Sequence, residues 1–328
     1  MQVFLEKKTA HFIAELTAQG GTPIYKLPVK EARQVLEGLQ AAYPVEKLLV
    51  EMEDLSLPCG PQGKVSVRIV RPSNGNGKLP TVMYFHGGGW VLGSKETHDR
   101  LIREIAHGAQ ANIVFVNFNR SPESKYPTSV EEGYAATKYV SEHGKSLNLD
   151  SSRIAVAGDS VGGYMAAVIA ILAKERNGPK IDYQLMFYPV TNADFNTRSY
   201  QEFADGPWLT RAAMEWFWNA YAPNPAVRRS HLVCPLHSTL QQLHDLPPAL
   251  IITAENDVLR DEGEAYAHKL MQAGVEVATM RCLGTMHDFV MLNALSGTPA
   301  AKSAIALACS SLQKALAKQK SARQKRVA

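Results

Sequence analysis

Three side chains far apart in the chain stand in local settings suited to nucleophilic catalysis. Arg153 to Gly163 reads R-I-A-V-A-G-D-S-V-G-G. The apolar run Ile154–Ala157 has the character of a buried strand, and Tyr164–Ala173 that of a helix. Between them lies Gly158-Asp159-Ser160-Val161-Gly162, a G-x-S-x-G pattern. A serine projecting from a strained strand-to-helix turn needs neighbours without side chains in the way. The helix that follows aims its N-terminal amides at the place where an oxyanion would form.

A serine hydroxyl is a poor nucleophile until a base takes its proton. Asp257 sits just beyond the apolar run Ala249–Thr253, and His287 just beyond the run Val275–Cys282. Glu255 competes with Asp257 as orienting acid, and His244 and His268 compete with His287 as base. Asp261 and Glu262 suit the first turn of the next helix, where acids meet its dipole. A second glycine cluster, His86-Gly87-Gly88-Gly89-Trp90, follows the apolar run Thr81–Phe85. Consecutive glycines let a backbone turn its amides outward to a ligand.

These residues need a frame that brings strand ends together. Apolar runs at Thr81–Phe85, Ile113–Phe118, Ile154–Ala157, Gln184–Val190 and Ala249–Thr253 predict central parallel strands, with Val275–Cys282 as one more. Helical spacing at His98–His107, Val130–His143, Tyr164–Lys174 and Glu262–Ala273 separates them, and Ala300–Leu316 closes the chain. The expected fold is α/β, a mainly parallel sheet with helices on both faces. Leu48–Leu55 and Val65–Val70 alternate as half-exposed strands, and the turn Asn74-Gly75-Asn76-Gly77 comes after them.

Two helices, Val3–Leu16 and Val29–Ala42, precede the first strand. Residues 191–235 carry no strand pattern and are rich in aromatics. Together with residues 1–45 they are expected to form a helical cap on a catalytic domain spanning 46–328. All four tryptophans, Trp90, Trp208, Trp216 and Trp218, fall in the glycine loop or the presumed cap. Trp90, Trp208 and Trp216 are the expected walls of an apolar substrate pocket.

The chain has 328 residues, 45% of them hydrophobic, enough for one large core. The formal net charge is +4, but six bases and no acid lie in Lys314 to Ala328. The basicity therefore belongs to a solvated tail at about 317–328, and no nucleic-acid partner is expected. Cys59, Cys234, Cys282 and Cys309 are scattered without a C-x-x-C pair, which fits a reducing, cytoplasmic setting. No signal peptide and no membrane-spanning run is read. His231-x-x-Cys234-x-x-His237 lacks the further ligands a zinc site needs, so no metal is expected. An exposed last strand would let two copies pair by sheet edges.

Taken jointly, His86-Gly87-Gly88-Gly89, Ser121-Pro122-Glu123 with Tyr126-Pro127, Gly158 to Gly163, Asp257 to Gly263 and His287-Asp288-Phe289 resemble the hormone-sensitive-lipase-like esterases of the α/β-hydrolase superfamily. The resemblance covers roughly Val45 to Ala315. It implies hydrolysis of a small-molecule ester without a cofactor. Ser160 would be the nucleophile, His287 the base and Asp257 its orienter. Gly88, Gly89 and Val161 would supply the oxyanion hole, with His86, Gly87 and Asp159 supporting it. Glu123 would be a buried supporting acid in the loop after the fourth strand. An amidase, a lactonase or a non-catalytic ligand receptor could use the same frame. The chain departs from the pattern at Val161 (often alanine, so its bulk is expected to narrow the site), at Val258 (often proline) and at Asp288 (often glycine). The Asp288 carboxylate is expected to raise the His287 pKa.

Overall fold

The shift from alternating to continuous apolar runs along the chain marks the passage from the edge of one sheet to its centre. The computed structural model describes residues 3–73, 75 and 78–317. The expected basic tail from 318 onward lies outside the described residues, as does most of the turn at 74–77.

Two helices come first, α1 (Lys7–Gln19) and α2 (Val29–Ala42), followed by strands β1 (Val50–Leu57) and β2 (Val65–Pro72). Both strands alternate in burial and pair antiparallel, as expected of a sheet edge with one wet face. Next come β3 (Pro80–Phe85), α3 (Asp99–Ala109), β4 (Asn112–Asn117), α4 (Thr128–His143), β5 (Asp150–Asp159), α5 (Val161–Glu175) and β6 (Tyr183–Phe187). Every residue of β3 and β6 is buried, as it must be for parallel strands covered on both faces.

The interval up to the next strand holds α6 (Arg198–Glu202), α7 (Arg211–Tyr221) and α8 (Leu240–Leu243). The chain then runs through β7 (Ala249–Asn256), α9 (Arg260–Gln272), β8 (Val277–Met286) and α10 (Pro299–Ala315). Among the described residues eight strands form one sheet in the order β1-β2-β4-β3-β5-β6-β7-β8. From β4 onward every pairing is parallel. Two helix layers flank it, α3 with α10 and α4 with α5, while α9 joins α5 through α8.

Two boundaries differ from the sequence expectation in ways that matter for chemistry. Strand β8 continues through Gly284 to Met286 rather than stopping at Cys282, so His287 follows the strand directly. The first helix begins at Lys7 rather than Val3, and Glu6 N–H instead donates to Gly284 O at the end of β8.

Candidate active site

Ser160, Asp257 and His287 stand where three strands, β5, β7 and β8, end on the same edge of the sheet. Strand β5 ends at Asp159 and α5 begins at Val161, so Ser160 occupies the turn with φ 55° and ψ −119°. This conformation is strained for any residue with a Cβ. Three backbone bonds hold it: Ser160 N–H to Phe187 O at 2.9 Å, Tyr164 N–H to Ser160 O at 3.1 Å, and Val190 N–H to Ser160 O at 3.2 Å. The turn runs so close to the end of β3 that a Cβ on Gly162 would stand 1.9 Å from Phe85 O, which is why only glycine fits there.

His287 follows β8 and Asp257 follows β7. His287 Nε2 lies 2.9 Å from Ser160 Oγ, and His287 Nδ1 donates to Asp257 Oδ2 at 2.7 Å. The second carboxylate oxygen of Asp257 accepts from Leu259 N–H at 3.0 Å, which fixes its plane. All three side chains are buried. The competing acid Glu255 turns away and accepts from Gly284 N–H at 2.7 Å. His244 is exposed beside Asp245.

The glycine loop follows β3. Gly88 and Gly89 have φ 103° and 62° and line the same cavity as Ser160 and His287. Asp159 is fully buried behind them and accepts from Tyr84 Oη at 2.7 Å and Gly87 N–H at 3.2 Å, with His98 Nε2 at 3.1 Å. Burial alone would raise its pKa, but the charge and hydrogen bond of His98 and the Tyr84 hydroxyl outweigh this and hold it below the ordinary carboxylate range. His86 is buried and stacked on Phe118 at 4.2 Å. Burial and the neighbouring His98 hold its pKa down to about 3, so the ring is neutral. A carbonyl can only accept, so His86 donates Nδ1–H to Gly87 O at 2.8 Å.

Residues 82–291 match the family described as having the alpha/beta hydrolase fold. The structure is similar to a thermostable esterase from Pseudomonas putida, with a TM-score of 0.95 and 46% identity over 97% of this chain and all of that one. It is also similar to a hyperthermophilic esterase from the archaeon Pyrobaculum calidifontis, with a TM-score of 0.86 and 36% identity over 94% of this chain and 98% of that one. In sequence it is 41% identical over 254 residues to carboxylesterase NlhH of Mycobacterium tuberculosis, covering 77% of this chain and 79% of the relative. The chain belongs to the hormone-sensitive-lipase-like esterases of the α/β-hydrolase fold.

In this hydrolase the His287 imidazole is electrostatically biased toward its protonated form. Burial would lower the pKa of His287, but Asp257 and Asp288 together outweigh it and raise the value to about 9. Asp288 Oδ1 lies 3.6 Å from His287 Nε2. Burial in turn raises the Asp288 carboxyl, while His287 and a hydrogen bond from Trp208 lower it.

Ser160 and His287 open onto a cavity of about 540 Å³. Its walls come from the N-terminal segment (Tyr25, Leu27, Leu36, Leu39), from Trp208, Leu209, Met214 and Phe217 of the insertion, and from Leu92. Of the three tryptophans expected to meet substrate, Trp208 lines the cavity. Trp90 and Trp216 do not. Trp90 is 1% exposed and stacks on Tyr221 at 4.1 Å, with Trp218 at 4.8 Å, so it fastens α7 to the body of the hydrolase. Trp216 is half-buried on α7 with its ring 5.0 Å from that of Phe217, while Ala213, Met214 and Phe217 are the α7 residues that reach the cavity. Val161 is fully buried and is not among the cavity walls.

Glu123 also departs from expectation. Its side chain is 62% exposed and pairs with Arg33 of α2 at 2.8 Å, which holds its carboxyl below the usual range. The buried acid of this region is Glu132 on α4, which accepts from Asn119 N–H at 2.7 Å. Nothing in the local sequence separates the two, because the difference arises from the direction of the loop after β4. Arg33 and the N-terminal pocket walls were not legible as site residues, since their partners lie far along the chain. Among the described residues no group of three or more His, Cys, Asp or Glu side chains is arranged to hold a metal ion, and no helix is long and apolar enough to cross a membrane.

Proposed function

We propose that the protein is a serine carboxylesterase acting on short- to medium-chain esters through an acyl-enzyme. The observation that carries this reading is the continuous contact Ser160 Oγ–His287 Nε2 (2.9 Å) and His287 Nδ1–Asp257 Oδ2 (2.7 Å) beneath a mainly apolar cavity. Ser160 Oγ attacks the ester carbonyl and its proton passes to His287 Nε2. Asp257 keeps the imidazole in the tautomer with Nδ1–H and stabilises the imidazolium. The N–H groups of Gly88, Gly89 and Val161 receive the tetrahedral oxyanion, Val161 from the start of α5 where helix amides lack intrahelical partners.

His287 then returns the proton to the departing alcohol, leaving an ester on Ser160. Water repeats the sequence: His287 takes its proton, the hydroxide adds to the acyl carbon, and the carboxylic acid leaves as Ser160 is reprotonated. General base catalysis of this kind contributes about 10²–10⁴-fold and one oxyanion donor about 10²–10³-fold.

The N-terminal helices and the insertion around 191–235 act as the cap, because both furnish cavity walls over Ser160. A volume of about 540 Å³ accommodates an acyl chain of modest length with its alcohol. The test is a panel of p-nitrophenyl esters from acetate to palmitate, run with wild type and Ser160→Ala. The reading expects turnover that peaks among the short and medium chains and falls at least about 10³-fold in the variant. Equal turnover by Ser160→Ala would refute it.

A further inference from the structure

Arg33 lies on α2, far from Ser160 in sequence, yet it reaches into the backbone of the glycine loop. Its side chain is 19% exposed. Nε donates to Val91 O at 2.9 Å and Nη2 to Ser121 O at 3.0 Å, while Nη1 and Nη2 meet the two oxygens of Glu123 at 2.9 and 2.8 Å. One guanidinium thus joins the N-terminal helix to two loops of the body.

The geometry of the peptide unit says what this does. In a planar trans peptide the C=O of one residue points opposite to the N–H of the next. Holding Val91 O from one side therefore directs Leu92 N–H to the other, where it donates to Gly88 O at 2.7 Å. Val91 N–H donates to the same oxygen at 3.1 Å. With Gly88 O fixed in that direction, Gly89 N–H must point the opposite way. The neighbouring carbonyls have other holders: His86 takes Gly87 O at 2.8 Å, Ser121 N–H takes Trp90 O at 2.8 Å and Arg120 Nη1 takes Gly93 O at 2.7 Å. The two glycine donors thus have separate supports, His86 behind Gly88 and Arg33 behind Gly89.

We infer that Arg33 is a positioning residue for the Gly89 oxyanion donor, acting through the peptide units Val91–Leu92 and Gly88–Gly89, so that the oxyanion hole is complete only while α2 is docked. This rests on the serine esterase reading above. The same helix presents Leu36 and Leu39 to the cavity, which places substrate contact and hole support on one rigid element. The insertion leans on the same donor from the other side, because a Cβ on Gly89 would stand 2.1 Å from the Phe217 ring. Glu123 holds the guanidinium only from its exposed side, and neutralising it leaves the bond to Val91 in place.

The test compares wild type, Arg33→Met, Arg33→Lys and Glu123→Gln. The readouts are kcat and KM for a p-nitrophenyl ester, melting temperature, and affinity for an aryl trifluoromethyl ketone. That inhibitor takes up Ser160 Oγ to give a hemiketal oxyanion and so reports the hole directly. Arg33→Met is expected to lower kcat about ten- to thirtyfold, less than removal of a donor because the amide remains but is no longer held. KM should change less than about threefold, and ketone affinity should fall in step with kcat. Glu123→Gln should keep kcat within about twofold.

Retention of kcat by Arg33→Met, a loss confined to KM with ketone affinity intact, or an equal loss in Glu123→Gln would each overturn the inference. Should Arg33→Met not fold, Arg33→Lys decides. A single ammonium cannot reproduce the fork, so a smaller parallel loss in kcat and ketone affinity is expected at a melting temperature near wild type, and unchanged values would overturn the assignment. Wild-type turnover is measured in the same series. An inactive wild type would defeat the esterase reading itself, whereas an active wild type with an unaffected Arg33→Met defeats only the role given to Arg33.

Discussion

Trp208 Nε1–H donates to Asp288 Oδ2 at 2.9 Å, so an indole from the segment between β6 and β7 is tied to the residue directly after His287. Asp288 has φ 65°, the left-handed region that favours glycine and that aspartate tolerates better than most. This conformation suits the glycine that the family resemblance leads one to expect there. The aspartate adds a carboxylate whose other oxygen is buried, without a hydrogen bond, 3.6 Å from His287 Nε2.

That carboxylate favours the imidazolium, and a base must be neutral to accept the serine proton. With the His287 pKa raised to about 9, the acidic limb of kcat/KM is expected at alkaline pH. Replacing Asp288 by glycine suits the backbone and removes the charge, so the limb should move to lower pH by about one unit. Asp288→Asn, which keeps the shape, should move it the same way. A pH–rate profile from 5 to 10 on all three proteins reads this out, and superimposable acidic limbs would rule out the role of Asp288.

The strain at Ser160 implies a trade between stability and chemistry. A non-glycine residue in such a region costs about 1–3 kcal/mol, partly offset by the greater unfolded-state freedom of glycine. Ser160→Gly should therefore be inactive but more stable by about 1 kcal/mol, raising the melting temperature by roughly 2 °C. Calorimetry that found the variant less stable than wild type would show that the turn is relaxed.

Glu262 links the start of the insertion to α9. Its Oε1 accepts from Thr191 N–H at 2.7 Å and Asn192 N–H at 3.0 Å, while Oε2 is buried without a partner. Burial pushes its pKa up to about 8 despite those amides. A folded-state pKa above the unfolded value means that the folded protein holds the proton more tightly. The stabilisation is present below the ordinary carboxyl pKa and is lost as pH rises through about 8. Wild type should lose thermal stability between pH 6 and pH 9 more steeply than Glu262→Gln, which has nothing to ionise. Parallel melting curves against pH would remove Glu262 from this account.

The parts of the site that could be read from sequence are those whose constraint is local. Gly162 must be glycine because of Phe85 O, and Ser160 lies beside it in the chain, so a short pattern carries the whole turn. Asp257 and His287 each follow a stretch that reads as a strand, and the C-terminal ends of neighbouring parallel strands lie on one edge of the sheet. The Trp90, Trp208 and Trp216 side chains, by contrast, are chemically alike. Whether one packs on Tyr221, as Trp90 does, meets the cavity, as Trp208 does, or packs half-buried beside Phe217, as Trp216 does, depends on how distant segments meet in space, which no local signal encodes. Glu123 and Glu132 are likewise two acids near one loop, and only its path in space decides which is buried. Arg33 stands 58 residues from Val91 and 88 from Ser121, beyond the reach of any spacing rule.

The central claim is that Ser160 is a nucleophile activated by His287. It is tested most directly by incubating the protein with diethyl p-nitrophenyl phosphate and measuring the intact mass, followed by peptide mapping. The account predicts addition of one diethylphosphoryl group with release of one equivalent of p-nitrophenol, the adduct on the peptide containing Ser160, and no addition in His287→Ala over the same time. A wild-type protein that stays unmodified, or carries the group on another residue, would contradict it.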